Sequence, residues 1–320
     1  MTVLVVAEHD RGVLAPATLQ AVTFARTISA TIHAVTIGAA ADGLAPELGR
    51  HGVSVVIQAH HELLFDYGPE TWGATVAQLV GRLSPRAVLA AGSDKGNEVM
   101  AQAAALLDVP MVANCTEVSP GEPRNLVRMR WGGSLLEQCT LGSGPALLTV
   151  AHHGIEATEA PGTVTTEVME PALDASLART IVVERGERVA GVSLATSTVV
   201  VGGGRGVGSA EGFAPLEVLA ELLGGVVGCS RAVTNNGWRS HSDQVGQTGT
   251  RIAPDLYLAC GISGAIQHWV GAMASRKILA INTDPEANMV SKADYAVIGD
   301  LHEVVPAISV EIQRRRGDVD

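Results

Sequence analysis

Aromatic residues are nearly missing from this chain: three Phe, three Tyr and four Trp make up 3% of 320 residues. A core built without them must use small aliphatics. The 36 glycines let helices approach a sheet closely, which points to helices packed on a parallel sheet. Positive charge is also short. Lys and Arg number 22 against 33 Asp and Glu, a net charge of −11, and no basic stretch exists apart from Arg314–Arg316. That argues against nucleic acid as a partner. No apolar run reaches the ~18 residues that cross a bilayer, and the first residues enter a strand-like run rather than a basic start with an apolar signal core. The expectation is therefore not a membrane protein but a cytoplasmic one. None of the four cysteines (Cys115, Cys139, Cys229, Cys260) stands in a C-x-x-C pair. All sit in apolar surroundings and read as buried free thiols, which suits a reducing compartment.

Several signatures of chemistry are absent as well. There is no G-x-G-x-x-G, no G-x-x-x-x-G-K-[ST] and no G-x-S-x-G. The histidine pairs His60-His61 and His152-His153 lack partners at metal-ligand spacing and read as solvated loops, so no metal is expected.

What is present is an alternation of periods. With 47% apolar residues the chain can bury a sizeable core, and its length suggests two domains. Up to residue 113, apolar runs at Val3–Ala7, Thr31–Ile37, Val53–Ile57, Ala87–Ala91 and Pro110–Ala113 predict strands. Helical spacing predicts helices over Pro16–Ile28, Thr71–Leu83 and Asn97–Leu107, the last capped by Asn97. Residues 115–185 lose helical spacing and gain turn pairs, which predicts short antiparallel strands completing the first domain. The charged segment Glu184–Arg188, followed by Ala190-Gly191, is the expected boundary between domains at 1–190 and 191–320. The fold class is α/β, each domain with a largely parallel sheet flanked by helices and the second doubly wound.

From residue 192 the alternation resumes, with strands at Thr198–Val201, Val226–Cys229, Leu256–Cys260, Ile278–Ile281 and Tyr295–Ile298, and helices at Ala214–Leu223, Gly264–Met273 and Leu301–Gln313. In an open α/β sheet, ligands bind beyond the carboxyl ends of the strands. All five predicted ends carry glycine or a hydrogen-bonding group: Gly202 to Gly206 with Arg205, Ser230-Arg231, Gly261 to Gly264, Asn282, and Gly299-Asp300. The glycine run is either a tight turn or an anion site, and Arg205 favours the anion. Ser263-Gly264-Ala265 reads as a capped helix start able to hold a phosphate on free N–H groups. The connection Ala232–Pro254 lacks periodicity, and loops of that length in a compact domain are functional or disordered.

The order R-A-V, G-W, D-Q-V-G-Q-T-G, A-P-D-L-Y-L-A-C-G-I-S-G-A-I-Q-H, I-N-T-D-P-E-A and A-D-Y, from about Val199 to Pro306, resembles the alpha subunits of electron-transfer flavoproteins. The resemblance implies that the second domain holds FAD. Its cofactor contacts would come from Arg205, Ser230, Arg231, Gln244, Val245, Gly246, Gln247, Thr248, Ser263, Gly264, Ala265, Ile266, Gln267, His268, Asn282, Asp300 and Leu301. It further implies that Arg231 lies against the isoalloxazine, Thr248 bonds flavin N5 and His268 lies near the pyrimidine edge. The backbone at Ser263–Ala265 would serve the pyrophosphate, and Asn282 and Asp300 the adenosine end. No catalytic residue is implied, only redox tuning by Arg231, Thr248 and His268.

The family's partners are a beta subunit at the first domain, flavin dehydrogenases such as acyl-CoA dehydrogenases as donors, and a quinone oxidoreductase or similar acceptor. The chain departs from the pattern at Thr250 and Thr283, where Lys is usual, at Asn288 for a common Pro, and at Asn235-Asn236. Three alternatives stay open on the sequence: a nicotinamide-dependent dehydrogenase, which the missing dinucleotide fingerprint disfavours; a module whose FAD is purely structural; and a bifurcating flavoprotein with a second FAD.

Overall fold

The computed structural model describes residues 2–184 and 193–317, apart from 120, 122 and 134. The chain divides into two compact units, Met1–Glu187 and Arg188–Asp320. The expected boundary begins at the described Glu184, but residues 185–191 lie outside the described residues.

The first unit is built on a nine-stranded sheet. Its chain-order strands are β1 (Val3–Val6), the short hairpin pair β2 (His9–Asp10) and β3 (Val13–Leu14), β4 (Ile32–Ile37), β5 (Val55–Ala59), β6 (Ala87–Ala91), β7 (Met111–Val118), β8 (Arg124–Arg130), β9 (Leu135–Leu141), β10 (Ala146–Val150) and β11 (Thr165–Met169). β2 and β3 pair only with each other; the others run in the order β11-β5-β4-β1-β6-β10-β7-β8-β9. β1 and β6 are continuous apolar runs, β10 is apolar but for Thr149, and all three are buried at every residue. Helices therefore cover the sheet on both faces. Along β1, Val3 and Val5 join a core with Phe24 of α1 (Pro16–Ile28). The alternate Leu4 and Val6 join another with Trp72 and Leu79 of α3 (Pro69–Leu83) and Met100 of α4 (Asp94–Leu107). A short α2 (Ala45–Arg50) packs Leu48 into the first of these cores.

Three expectations for this unit need correction. Among the described residues of 115–185, only β8 and β9 are antiparallel additions. β10 inserts parallel between β6 and β7, and β11 pairs parallel with β5 at the far edge. The A-L-L-T-V run, apolar but for Thr149 and buried throughout, suits a strand buried on both faces, which turn pairs alone did not reveal. The cap of α4 is Ser93, whose Oγ accepts from the Gly96 N–H at 2.9 Å. Asn97 lies inside that helix, and its Oδ1 accepts from Thr149 Oγ1 of β10 at 2.8 Å. Cys139 is only half-buried, whereas Cys115, Cys229 and Cys260 are buried, and burial pushes each of those three thiols up to about 12.

The second unit carries five parallel strands, β12 (Val199–Gly203), β13 (Val226–Cys229), β14 (Leu256–Cys260), β15 (Ile278–Asn282) and β16 (Tyr295–Ile298), in the order β13-β12-β14-β15-β16. The chain leaves β12 toward one side and returns on the other, so its direction of winding switches between β12 and β14. α5 (Ala214–Leu222) and α9 (Leu301–Arg316) pack on one face, where Leu216, Phe213 and Val305 meet Val201, Leu258 and Ile281. α7 (Ile266–Ala272) and α8 (Asn288–Lys292) lie on the other, where Ala272 and Met289 meet Val200, Tyr257 and Ala280.

The segment after β13 is not a loose loop. It opens with α6 (Arg231–Asn235), Gln244 rejoins the sheet through a backbone bridge to Cys229 of β13, and Val245 bridges Thr250 within the segment. Its lack of apolar periodicity reflects a short helix and isolated bridges, neither long enough to print a period.

Candidate functional site

The carboxyl ends of β12, β13, β14 and β15 open onto a cavity of about 490 Å³ at the switch point of the second sheet. That size lies within the usual range for a small-molecule site. Its wall is made by the residues just past each strand: Arg205 and Gly206 after β12, Ser230 and Arg231 after β13, Gly261 to Ala265 after β14, and Asn282 and Asp284 at the end of β15. Close backbone approach makes the floor thin. Gly206 N–H donates to the Gly261 carbonyl at 3.1 Å, and a Cβ on Gly204 would lie 2.1 Å from that same carbonyl oxygen. Only glycine lets these two loops touch.

The cavity favours an anion. Arg205 and Arg231 are exposed and, among the described residues, neither guanidinium has a hydrogen-bond or ion-pair partner. Asp284 is the acidic residue on the wall. The backbone N–H groups of Ser263, Gly264 and Ala265 likewise have no partner among the described residues. Ser263 does not cap α7 as expected. The cap position is Ala265, without a side-chain bond, because Gly264 takes φ +78° and turns the chain out of the helical path. A Cβ there would stand 2.3 Å from Met289 N. The three N–H groups thereby stay outside the ladder of α7.

The expected contact residues divide into two groups. Arg205, Ser230, Arg231, Ser263, Gly264, Ala265, Gln267, His268 and Asn282 line the cavity. Asn282 is braced, its Nδ2 donating to the Ile262 carbonyl at 3.1 Å and its Oδ1 accepting from Asp284 N–H. Thr248 and Gln247 are exposed on a turn held to α7 by Gln247 N–H donating to the Gln267 carbonyl at 2.7 Å. Ile266 is half exposed. Val245 and Leu301 turn their side chains into the two cores, and Gly246 is buried against α7. Asp300 caps α9 by accepting from His302 N–H. Gln244 is not on the wall; it is 1% exposed, and its carboxamide links Thr234 to Thr248.

Sequence reasoning missed Ala232, Asn235, Asp284 and Ala287 as wall residues. Asn235 was findable, since it stands four residues after Arg231 on the same short helix and so shares its face. Tyr257 was not findable, because it reads as one more core residue of β14. Its hydroxyl lies 2.7 Å from His268 Nε2. His268 is 6% exposed, and burial pushes its pKa down to about 4. Its Nδ1 is buried and has no hydrogen-bond partner among the described residues, while the nearby Val245 backbone offsets part of the burial effect. Among the described residues no cluster of three or more His, Cys, Asp or Glu is placed to hold a metal, and no helix is long and apolar enough to cross a membrane. His60 pairs with Asp42 at 2.8 Å, and His152 and His153 stack on each other.

A doubly wound sheet with a basic cavity at its switch point is the construction of a nucleotide-binding α/β domain. Comparison with known proteins narrows this class. Residues 193–273 match the electron transfer flavoprotein FAD-binding domain, and residues 3–176 match the electron transfer flavoprotein domain. The electron transfer flavoprotein subunit alpha of Bacillus subtilis is 34% identical over 98% of this chain and 97% of that protein. Those of Pseudomonas aeruginosa and Mycobacterium tuberculosis are 35% and 36% identical over 96% and 98% of this chain, and 99% of each protein. The chain belongs to the electron transfer flavoprotein alpha subunit family, and its second unit contains that family's FAD-binding domain.

Proposed function

We propose that the chain carries electrons on one FAD held in the cavity of the second unit, paired with a beta subunit and with no substrate of its own. Donors are flavin dehydrogenases such as acyl-CoA dehydrogenases, and the acceptor is a quinone oxidoreductase or a similar protein. The free thiols support a reducing, cytoplasmic setting. The domains on this reading are 1–190 and 191–320.

One observation carries the reading: among the described residues, two arginines without guanidinium partners and three residues with unpartnered backbone N–H groups line the same cavity. Arg205 and the three N–H groups fit a pyrophosphate, Arg231 fits the ring, and the buried Nδ1 of His268 fits a ring carbonyl acceptor. When bound, FAD supplies one-electron chemistry. The chain's own work is to hold and bias it. Ser263 to Ala265 bind the pyrophosphate through their N–H groups, and Asn282, braced from both sides, receives the adenosine end. Arg231 places a permanent charge over the ring; a lysine would not stack in that way. His268 stays neutral and so offers a hydrogen bond rather than a second charge.

The test is direct. Purified with its beta subunit, the protein should be yellow, with one FAD released per cavity on denaturation. A colourless, folded heterodimer that ignores added FAD overturns the proposal.

A further inference from the structure

The strand ends that wall the cavity differ in charge, and the sheet fixes their order. Arg231 follows β13, Arg205 follows β12, the unpartnered N–H groups of Ser263 to Ala265 follow β14, and Asp284 follows β15. Neighbouring strands lie ~4.8 Å apart, so the strands of Arg231 and Asp284 are roughly 14 Å apart. One side of the cavity is cationic, its middle donates hydrogen bonds, and its other side is acidic.

Asp284 is fixed in place by its own turn. Its Oδ1 accepts from Glu286 N–H at 2.9 Å, and its N–H donates to Asn282 Oδ1 at 3.1 Å. Among the described residues its Oδ2 has no partner and its carboxylate no cation. Thr283 beside it is uncharged, and Glu286 is acidic. Asn282 commits its oxygen to this turn and one N–H to the Ile262 carbonyl, so the side-chain acceptor left free at the end of β15 is Asp284.

The chain from β14 through α7 to β15 is a βαβ unit, and Asp284 stands 20 residues after Gly264. In a dinucleotide-binding unit of this kind the pyrophosphate sits on the turn after the first strand, and an acid about 20 residues on accepts from the ribose. The glycine fingerprint is absent here, yet both groups stand in those places, on adjacent parallel strands.

We propose that Asp284 is a specificity-determining residue of the cavity: its free Oδ2 accepts from the ribose diol of the bound nucleotide and repels a nucleotide phosphorylated on that ribose. The inference rests on the FAD reading above, which sets a pyrophosphate on Ser263 to Ala265. A diol offers O–H donors to an ionised acceptor, the stronger kind of hydrogen bond. A phosphate on either hydroxyl brings negative charge against a carboxylate that nothing neutralises, which discriminates by repulsion. FAD, whose adenosine ribose is unphosphorylated, is accepted, and coenzymes with a 2′- or 3′-phosphate are turned away.

The test uses the heterodimer freed of FAD and follows FAD rebinding by flavin fluorescence against three competitors: ADP, 2′,3′-dideoxy-ADP and ADP with an added 2′-phosphate. In the wild type, dideoxy-ADP should compete about tenfold less well than ADP. The phosphorylated ADP should compete at least about tenfold less well. Asp284→Asn keeps an oxygen for Glu286 N–H, and with it the turn, but carries no charge. In that variant the penalty on the added phosphate should largely vanish. In Asp284→Ala, ADP and dideoxy-ADP should compete equally. A merely structural Asp284 would weaken all three competitors by one factor in both variants, and that result overturns the inference. So does a wild type that does not distinguish the three. Either result leaves the FAD reading standing, whereas a heterodimer that takes up no FAD overturns both together.

Discussion

The hydroxyl of Tyr257 and the Nε2 of His268 lie 2.7 Å apart, both within the second unit's interior. The buried phenol has no other acceptor among the described residues, so it must donate. His268 is then held as the Nδ1–H tautomer. Burial favours the uncharged form of both groups, pushing the tyrosine well above its ordinary value and the histidine down to about 4.

From this pair comes a pH dependence of stability. The histidine's unfolded value is 6.5 and its folded value is the lower one. Between them the unfolded chain binds a proton that the folded chain does not, so stability is complete above pH 6.5 and falls as pH drops toward 4. The loss is about 3 kcal/mol, because each tenfold drop in proton affinity is worth roughly 1.4 kcal/mol. Urea midpoints measured between pH 7.5 and 4.5 should fall, and His268→Gln should flatten that slope. An equal slope in the variant would show that other groups govern it.

The same pair makes Gly202 a sensitive position. A Cβ there would lie 2.4 Å from the Tyr257 hydroxyl and 2.6 Å from its ring. Gly202→Ala must therefore displace the ring and break its bond to His268, at about 1–3 kcal/mol for the overpacking. Tyr257→Phe leaves the buried Nε2 without its donor, for about 1–3 kcal/mol. Because both substitutions sever one contact, combining them should cost less than their sum. Strict additivity in denaturation would count against the coupling.

A third expectation concerns the turn that carries Thr248. Gly271 of α7 faces Gly246 so closely that a Cβ would stand 2.3 Å from the Gly246 backbone. The neighbouring bond from Gln247 N–H to the Gln267 carbonyl ties the same turn to the same helix. Gly271→Ala pushes them apart, and Thr248 moves with the turn. FAD affinity should drop at least tenfold, read by fluorescence titration. A Gly81→Ala control, at a position where a Cβ meets nothing, should leave it unchanged.

How much of the molecule is legible in its sequence depends on the length scale of each signal. β6, β13, β14 and β16 stand where their apolar runs place them, because a strand of a parallel sheet prints itself in consecutive apolar residues, even at the exposed edge strand β16. The wall residues at strand ends are legible for the same reason, since fold class fixes which end of a parallel strand meets ligand. β10 is not. Its apolar run follows two hairpin strands, and only tertiary pairing shows that it inserts between β6 and β7. Gln244 opens the Q-V-G-Q-T motif and on that ground reads as a cofactor contact. Its burial comes from a bridge to Cys229 that no local pattern encodes. The Tyr257–His268 bond joins a core strand to a helix 11 residues on, and neither residue type alone predicts it.

Arg231 gives the sharpest electrical prediction. Its guanidinium stands on the cavity wall without a carboxylate partner among the described residues. Its charge therefore reaches whatever the cavity holds. A unit charge at 4 Å is worth about 1 kcal/mol in water and about 4 kcal/mol at an effective dielectric of 20. At about 59 mV per 1.4 kcal/mol for one electron, removing it should lower the first reduction potential by roughly 40 to 170 mV. The side chain is exposed, so the lower part of that range is expected. Arg231→Ala should keep its FAD, because the pyrophosphate donors are elsewhere, while spectroelectrochemistry shows the fall. Arg231→Lys should recover only part of it, since an ammonium keeps the charge but does not stack. An unchanged potential in the alanine variant would mean that the bound flavin is structural and that the chain's electron-carrying role lies outside this cavity.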